Sequence, residues 1–99
     1  MMFSIFMLKD CNETADKRFM GHDWTMAHGG VNVFDYETVY TGNIEPKATT
    51  AETLEAIYTM FNINRPEDYA GRSLSVSDLV ALEDTGTYFC DHLGFKKIN

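Results

Sequence analysis

The stretch from Arg72 to Phe95, RSLSVSDLVALEDTGTYFCDHLGF, constrains the fold more than any other part of this chain. Leu79-Val80-Ala81-Leu82 is an apolar, partly β-branched run, and Thr87-Tyr88-Phe89-Cys90 is a second run of strand formers. Between them Asp84-Thr85-Gly86 supplies turn chemistry, with a glycine available for a positive φ. The pattern predicts two strands joined by a tight turn. Ahead of them, Ser73 to Ser77 alternates, with Leu74 and Val76 on one face and three serines on the other. That period predicts a half-buried extended segment whose serines face water.

The remaining elements follow in order. Met2 to Leu8 is apolar at nearly every position and predicts a first strand, central and covered on both faces. His22 to His28 fits two turns of helix closed by Gly29-Gly30, and Val31 to Phe34 a short extended lead-in. Tyr36-Glu37-Thr38-Val39-Tyr40 alternates, placing Tyr36, Thr38 and Tyr40 on one face of a strand that ends near Thr41-Gly42-Asn43. After Pro46, Thr49 and Glu52 form a capping box, and Leu54, Ile57, Tyr58 and Phe61 fall at i, i+3, i+4 and i+7. This main helix ends between Asn62 and Pro66, leaving Glu52 and Glu55 outward. Tyr69 is placed to pin the polar connection that follows. Leu93 to Ile98 reads as an irregular or edge segment whose lysines discourage edge pairing. The expected fold is α+β: a small, mostly antiparallel sheet of about four strands packed against one main helix, plus a short second helix.

Ninety-nine residues suit a single domain spanning 1–99, and the 44 % hydrophobic content excludes a wholly disordered chain. Cys11 and Cys90 lie far apart without CxxC spacing, which favours reduced thiols. Met2 to Leu8 is too short for a signal peptide or membrane span, so a cytoplasmic location is expected.

Chemistry-bearing clusters are sparse. His22 and His28 are six apart and do not share a helix face, so a metal site would need Cys11 or His22 folded against Cys90 and His92. A Cys90–His92 nucleophilic pair would need an oxyanion site, and Cys90 within an apolar strand fits a small core residue better. Ser75, Ser77 and Asp78 fit structural roles, with Asp78 accepting backbone N–H bonds where a strand begins. No phosphate loop, HExxH or GxSxG occurs. Neither a catalytic residue, a metal nor a cofactor is expected.

Charge is the remaining signal. The chain carries fifteen acids against eight bases, a net −7, which disfavours direct nucleic-acid binding and suits a basic partner. Phe19 to Asn64 holds Asp23, Asp35, Glu37, Glu45, Glu52 and Glu55 against Lys47 alone, so the negative field sits over the second strand and main helix. Carboxylates so spaced can imitate duplex phosphates, and they also serve as an ordinary solvated helix face and strand edge.

Several stretches together resemble the YodL-like domain family: Ile5-Phe6-Met7-Leu8-Lys9-Asp10, Lys17-Arg18-Phe19, Tyr36-Glu37-Thr38-Val39-Tyr40, Phe61-Asn62, and Leu74-Ser75-Val76-Ser77-Asp78-Leu79-Val80 through Gly94-Phe95. The most specific piece is SLSVSDLVAL followed by the Gly-Phe pair. Phe89-Cys90-Asp91-His92 and the His22 to Gly30 region depart from the family pattern. The resemblance implies a domain of plasmids, conjugative elements and phages, linked to countering host defence, with no catalytic residues to carry over. Together with the charge it leads to an expected function: a non-enzymatic inhibitor, anti-CRISPR or antirestriction, that binds a basic surface of a defence nuclease. Asp35, Glu37, Glu45, Glu52 and Glu55 would make the contact, with Tyr40 or Trp24 as aromatic anchors. The alternative is a generic interaction module of conjugation or plasmid maintenance.

Overall fold

The computed structural model describes residues 1–99. Five strands form one antiparallel sheet in the order β2-β1-β3-β4-β5. They are β1 (Met2–Leu8), β2 (Tyr36–Asn43), β3 (Leu79–Leu82), β4 (Gly86–Cys90) and β5 (Phe95–Lys97). A long helix, α2 (Thr50–Ile63), covers one face, and a short helix, α1 (His22–Ala27), lies in the segment that covers part of the other. The α+β class is as expected. The closing segment resolves into a three-residue fifth strand at the sheet edge, one more than the four anticipated. No helix is long and apolar enough to cross a membrane.

Under α2, alternate residues of three strands project Phe3, Ile5, Met7, Val80, Leu82 and Tyr88, which meet Leu54, Ile57 and Phe61 from the helix. Phe61 is fully buried, edge-on to Phe3, Tyr40 and Tyr69. The helix starts where its cap dictates. Thr49 Oγ1 accepts from the Glu52 N–H and donates to the Glu52 carboxylate, a variant of the capping box in which the acid holds the hydroxyl. Tyr58, although part of the apolar stripe, stays 37 % exposed and packs edge-on to Phe95 at the sheet edge.

The opposite face is built differently. Leu79 and Phe89 are buried there beneath residues 9–35, with His22 edge-on to Phe89. Beyond that cover, Ser4 and Phe6 are only half-buried, so β1 is sheltered on both faces only toward Leu8. Ser73 to Ser77 is not a simple alternating segment either. Ser77 is buried with φ at +82°, while Val76 is half-buried. The Ser77 N–H donates to the Cys90 carbonyl, its Oγ accepts from the Phe19 N–H, and its carbonyl accepts from the Tyr36 hydroxyl. Three distant segments therefore converge on one serine, and the left-handed backbone there lets it reach all three.

Strand β2 also departs from the simple alternation. The register against β1 slips between Ile5 and Phe6, where Val39 is the extra residue. A one-residue bulge reverses the faces beyond it. Tyr40 therefore points to the α2 side and packs with Phe3 and Phe61, while Thr38 stays on the opposite side, paired with Phe6. Val31 to Phe34 is not an extended lead-in: Val33–Asp35 makes a 3₁₀ turn capped by the Asn32 side chain, which accepts from the Phe34 N–H.

Candidate binding surfaces

The carboxylates that run together in sequence are parted by the fold. Glu52 and Glu55 stand one turn apart on the exposed face of α2, beside Lys47, Ala51, Ala56 and Thr59 in a shallow groove. Glu55 also borders Tyr58 and Phe95, which places it over the β5 edge. Glu37 lies on β2, the opposite edge of the sheet. Four interstrand spacings separate those edges, about 19 Å. Asp35 is drawn into an ion pair with Lys17 at 2.7 Å, which raises the lysine's pKa chiefly through that hydrogen bond. Glu45 is exposed just past the far end of β2. Instead of one continuous field there are two acidic surfaces, with Asp35 largely committed inside the molecule.

The proposed aromatic anchors are also corrected. Tyr40 is half-buried among Phe3, Phe61 and Tyr69, and its hydroxyl donates to Asp68 at 3.1 Å. Burial, then that carboxylate, pushes the phenol's pKa up. Trp24 is half-buried and stacked on His28, ring centroids 3.9 Å apart. The large apolar side chains that stand free are others. Leu93 and Ile63 stand alone at the surface, whereas Phe34, 81 % exposed, and Val33, 69 %, stand together on the turn leading into β2. Val33 borders a groove of about 290 Å³ on the open sheet face, with Phe6, Tyr36, Thr38, Ala81 and Thr87. Reading the sequence missed Asp68, because only the Tyr40 hydroxyl carries it to the β2 edge. Nor does the sequence single out Phe34, because Val31 to Phe34 reads as an extended segment while the chain makes a 3₁₀ turn there.

The cysteine and histidine candidates resolve against thiol chemistry. Cys90 is buried beneath α2 and its thiol is pushed up to about 12, first by burial and then by nearby carboxylates. It is not a thiolate near neutral pH. Cys11 is exposed in the segment after β1, where its sulfur bonds the Thr14 hydroxyl. His22 and His92 flank Asp91, but that carboxylate is occupied by the backbone N–H groups of both residues. No group of three or more potential ligands is gathered for a metal ion.

Asp78 is fully buried and has a structural role. It takes two bonds from Arg72, at 2.6 and 2.9 Å, and one from the Ser75 N–H at 2.7 Å. Burial pushes its pKa upward against the pull of Arg72 and Ser75. Arg72 also lies over the Phe19 ring, 5.2 Å from its centre. The pair closes the 72–78 loop onto the segment covering the second sheet face.

Three lysine–carboxylate or arginine–carboxylate pairs thus consume three bases and three acids, leaving twelve carboxylates against five bases. The acidity belongs to the surface. No curated protein and no solved structure matched the chain. A family model, described as the YodL-like domain, matches residues 2–99. By that match, which runs through every element from β1 to β5, the chain belongs to the YodL-like domain family.

Proposed function

We propose that this domain is a non-enzymatic counter-defence inhibitor of a phage or mobile genetic element, an anti-CRISPR protein that occupies a basic nucleic-acid-binding surface of a Cas nuclease. A restriction enzyme presenting the same kind of groove is the antirestriction form of the proposal. The observation that carries it is the excess of twelve carboxylates over five bases outside the ion pairs, within which Glu52 and Glu55 on the α2 face and Glu37 and Asp68 at the β2 edge form two separated acidic surfaces. Separated acidic surfaces suit a basic cleft with two walls, where long-range attraction raises the association rate and excludes the nuclease's own substrate. Inhibition on this reading is stoichiometric and weakens as salt rises.

The test is a plasmid-interference assay against a panel of CRISPR and restriction systems, followed by purified inhibitor titrated into the responsive nuclease. Two charge reversals separate the surfaces: Glu52→Lys with Glu55→Lys, and Glu37→Lys with Asp68→Lys. Each is expected to reduce inhibition more than about tenfold with folding unchanged, since these side chains are exposed. Inhibition that survives both reversals together sinks the electrostatic mechanism.

A second reading, a generic interaction module of conjugation or plasmid maintenance, draws on Val33 and Phe34. A phosphate mimic has no use for a bare phenyl ring, whereas ordinary protein interfaces are anchored by them. Co-purification of transfer or replication proteins, without a defence nuclease, would favour it.

A further inference from the structure

We infer that the outer edge of β2 is a docking site for an extended basic segment of a partner protein, which adds to the sheet as a sixth strand. This deepens the acidic-surface reading at one of its two surfaces and rests on it for the sign of the partner's charge.

The ladder decides which backbone groups are free. Met1 and Ile44 exchange both N–H···O bonds, at 3.1 and 2.9 Å, so they form a hydrogen-bonded pair. Alternation then turns the backbone of Gly42 and Tyr40 toward β1, and that of Asn43 and Thr41 away from it. Below the bulge the phase is set again by the Lys9 N–H donating to the Asp35 carbonyl, which turns Thr38 outward. No strand lies beyond β2, and no side chain bonds the backbone of Thr38, Thr41 or Asn43. At eight residues β2 is also the longest strand of the sheet. An edge of this kind is a template for strand addition.

The side chains on its two flanks specify what would add. On the α2 side, Glu37 is exposed and Tyr40 holds Asp68 at the edge, with Glu67 beside it in the chain. Lys17 is already bound to Asp35 and does not neutralise this edge. On the open side stand Thr38, Thr41 and the groove bordered by Phe6 and Val33. A strand paired with β2 sends alternate side chains to these two flanks. Its matching pattern is lysine or arginine at every second position, with threonine, valine or another small apolar residue between. Phe34 stands free at the strand's beginning, where it can cover the end of such a segment.

The fit to a basic chain also argues against a second copy of this one. Two copies would each bring a net charge of −7 to the contact, and each edge would present Glu37 and Asp68.

The probe is the blocked heptapeptide Ac-KTKVKTK-NH2, added to the full chain, with amide hydrogen exchange followed by two-dimensional NMR. Saturating peptide is expected to slow exchange at Thr38, Thr41 and Asn43 by about tenfold or more, leaving α2 amides unchanged. Ac-KKTTVKK-NH2, with the same composition but no alternation, and Ac-ETEVETE-NH2 are expected to give no such protection. Thr41→Pro should abolish it while keeping the ladder to β1, because the N–H it removes faces away. Should that variant misfold, the exchange map of the native chain remains decisive.

Protection absent from the three edge amides, or equal with the block-patterned peptide, overturns the proposal. Protection that appears without peptide and grows with protein concentration gives the edge to a second copy and overturns it too. In the nuclease assay, inhibition retained by Thr41→Pro but lost on charge reversal rejects strand addition while leaving the electrostatic reading intact. Strand addition shown by exchange, with no nuclease inhibited, upholds this inference and removes the other.

Discussion

The two faces of the sheet are held by different physics. Beneath α2 the contacts are apolar and continuous: Phe3, Ile5, Val80 and Leu82 from the strands meet Leu54, Ile57 and Phe61 from the helix. On the other face the buried apolar side chains are few, Leu8, Leu79 and Phe89, and the segment above them is fastened by polar bonds. Ser77 receives Phe19 and Tyr36, Asp78 receives Arg72, and Asp91 receives the N–H of His22. An apolar face tolerates small shifts because dispersion has no direction. A face held by a few hydrogen bonds depends on each of them, because a buried polar group that loses its partner costs more than the bond contributed. The second face is therefore where stability should be most uneven and where local opening should begin.

The largest effect is expected on the apolar face. Phe61→Ala removes a fully buried ring that contacts three other aromatics, and should cost about 3–5 kcal/mol in a denaturant titration. A loss below about 1 kcal/mol would mean that α2 is not what holds this face. Next comes Arg72→Met, which strands a fully buried carboxylate. It should cost about 3 kcal/mol, at the low end for a buried pair because the guanidinium is 37 % exposed. Adding Asp78→Asn should recover part of that loss, since the uncompensated charge, and not the missing bond, is the main penalty. If the double variant is no better than the single one, the polar account of this face fails.

Ser77 sharpens the contrast at a smaller scale. Ser77→Ala deletes the acceptor for the Phe19 N–H and leaves a Cβ at φ +82° as before, so bonding alone is worse off, by about 1–3 kcal/mol. Ser77→Gly loses the same acceptor but relieves the left-handed backbone, and should be less harmful by about 1 kcal/mol. Equal losses would show that the conformation there carries no cost. Thr49→Ala then tests the cap of α2, with an expected loss of about 1 kcal/mol in the same titration.

What could be read from the sequence follows the same division. The α2 stripe was legible because Leu54, Ile57 and Phe61 declare themselves within one window, and the cap lies three residues before Glu52. The β3–β4 hairpin was legible for the same reason. The polar fastening was not, because Ser77 takes its partners from Phe19, Tyr36 and Cys90, up to 58 residues away. Nor was the bulge at Val39, which is a property of β2 against β1 and not of β2 alone. That single residue turns Tyr40 toward the core, while the 3₁₀ turn ahead of β2 leaves Phe34 exposed. The acids were individually legible as exposed charges, but their division between two edges depends on strand order, which no local pattern encodes.

The smallest expected effect bears most directly on where opening begins. Burial of the Asp91 carboxyl works upward on its pKa, but the N–H donors of His22 and His92 outweigh it and hold it below the ordinary 3.8. A carboxylate depressed in the folded state contributes stability above its unfolded pKa and loses it as pH falls through the folded value. The loss should be felt below pH 3.8, and locally, because the bond to His22 anchors the start of α1. The protection factors of α1 amides, corrected for the intrinsic pH dependence of exchange, should then fall as the solution is acidified, while those of α2 hold. Asp91→Asn should flatten that acid dependence in α1, with a global change of only about 0.5 kcal/mol, since the side chain is near the surface. If α1 and α2 lose protection together in the native chain, the two faces open as one unit and the distinction drawn between them does not hold.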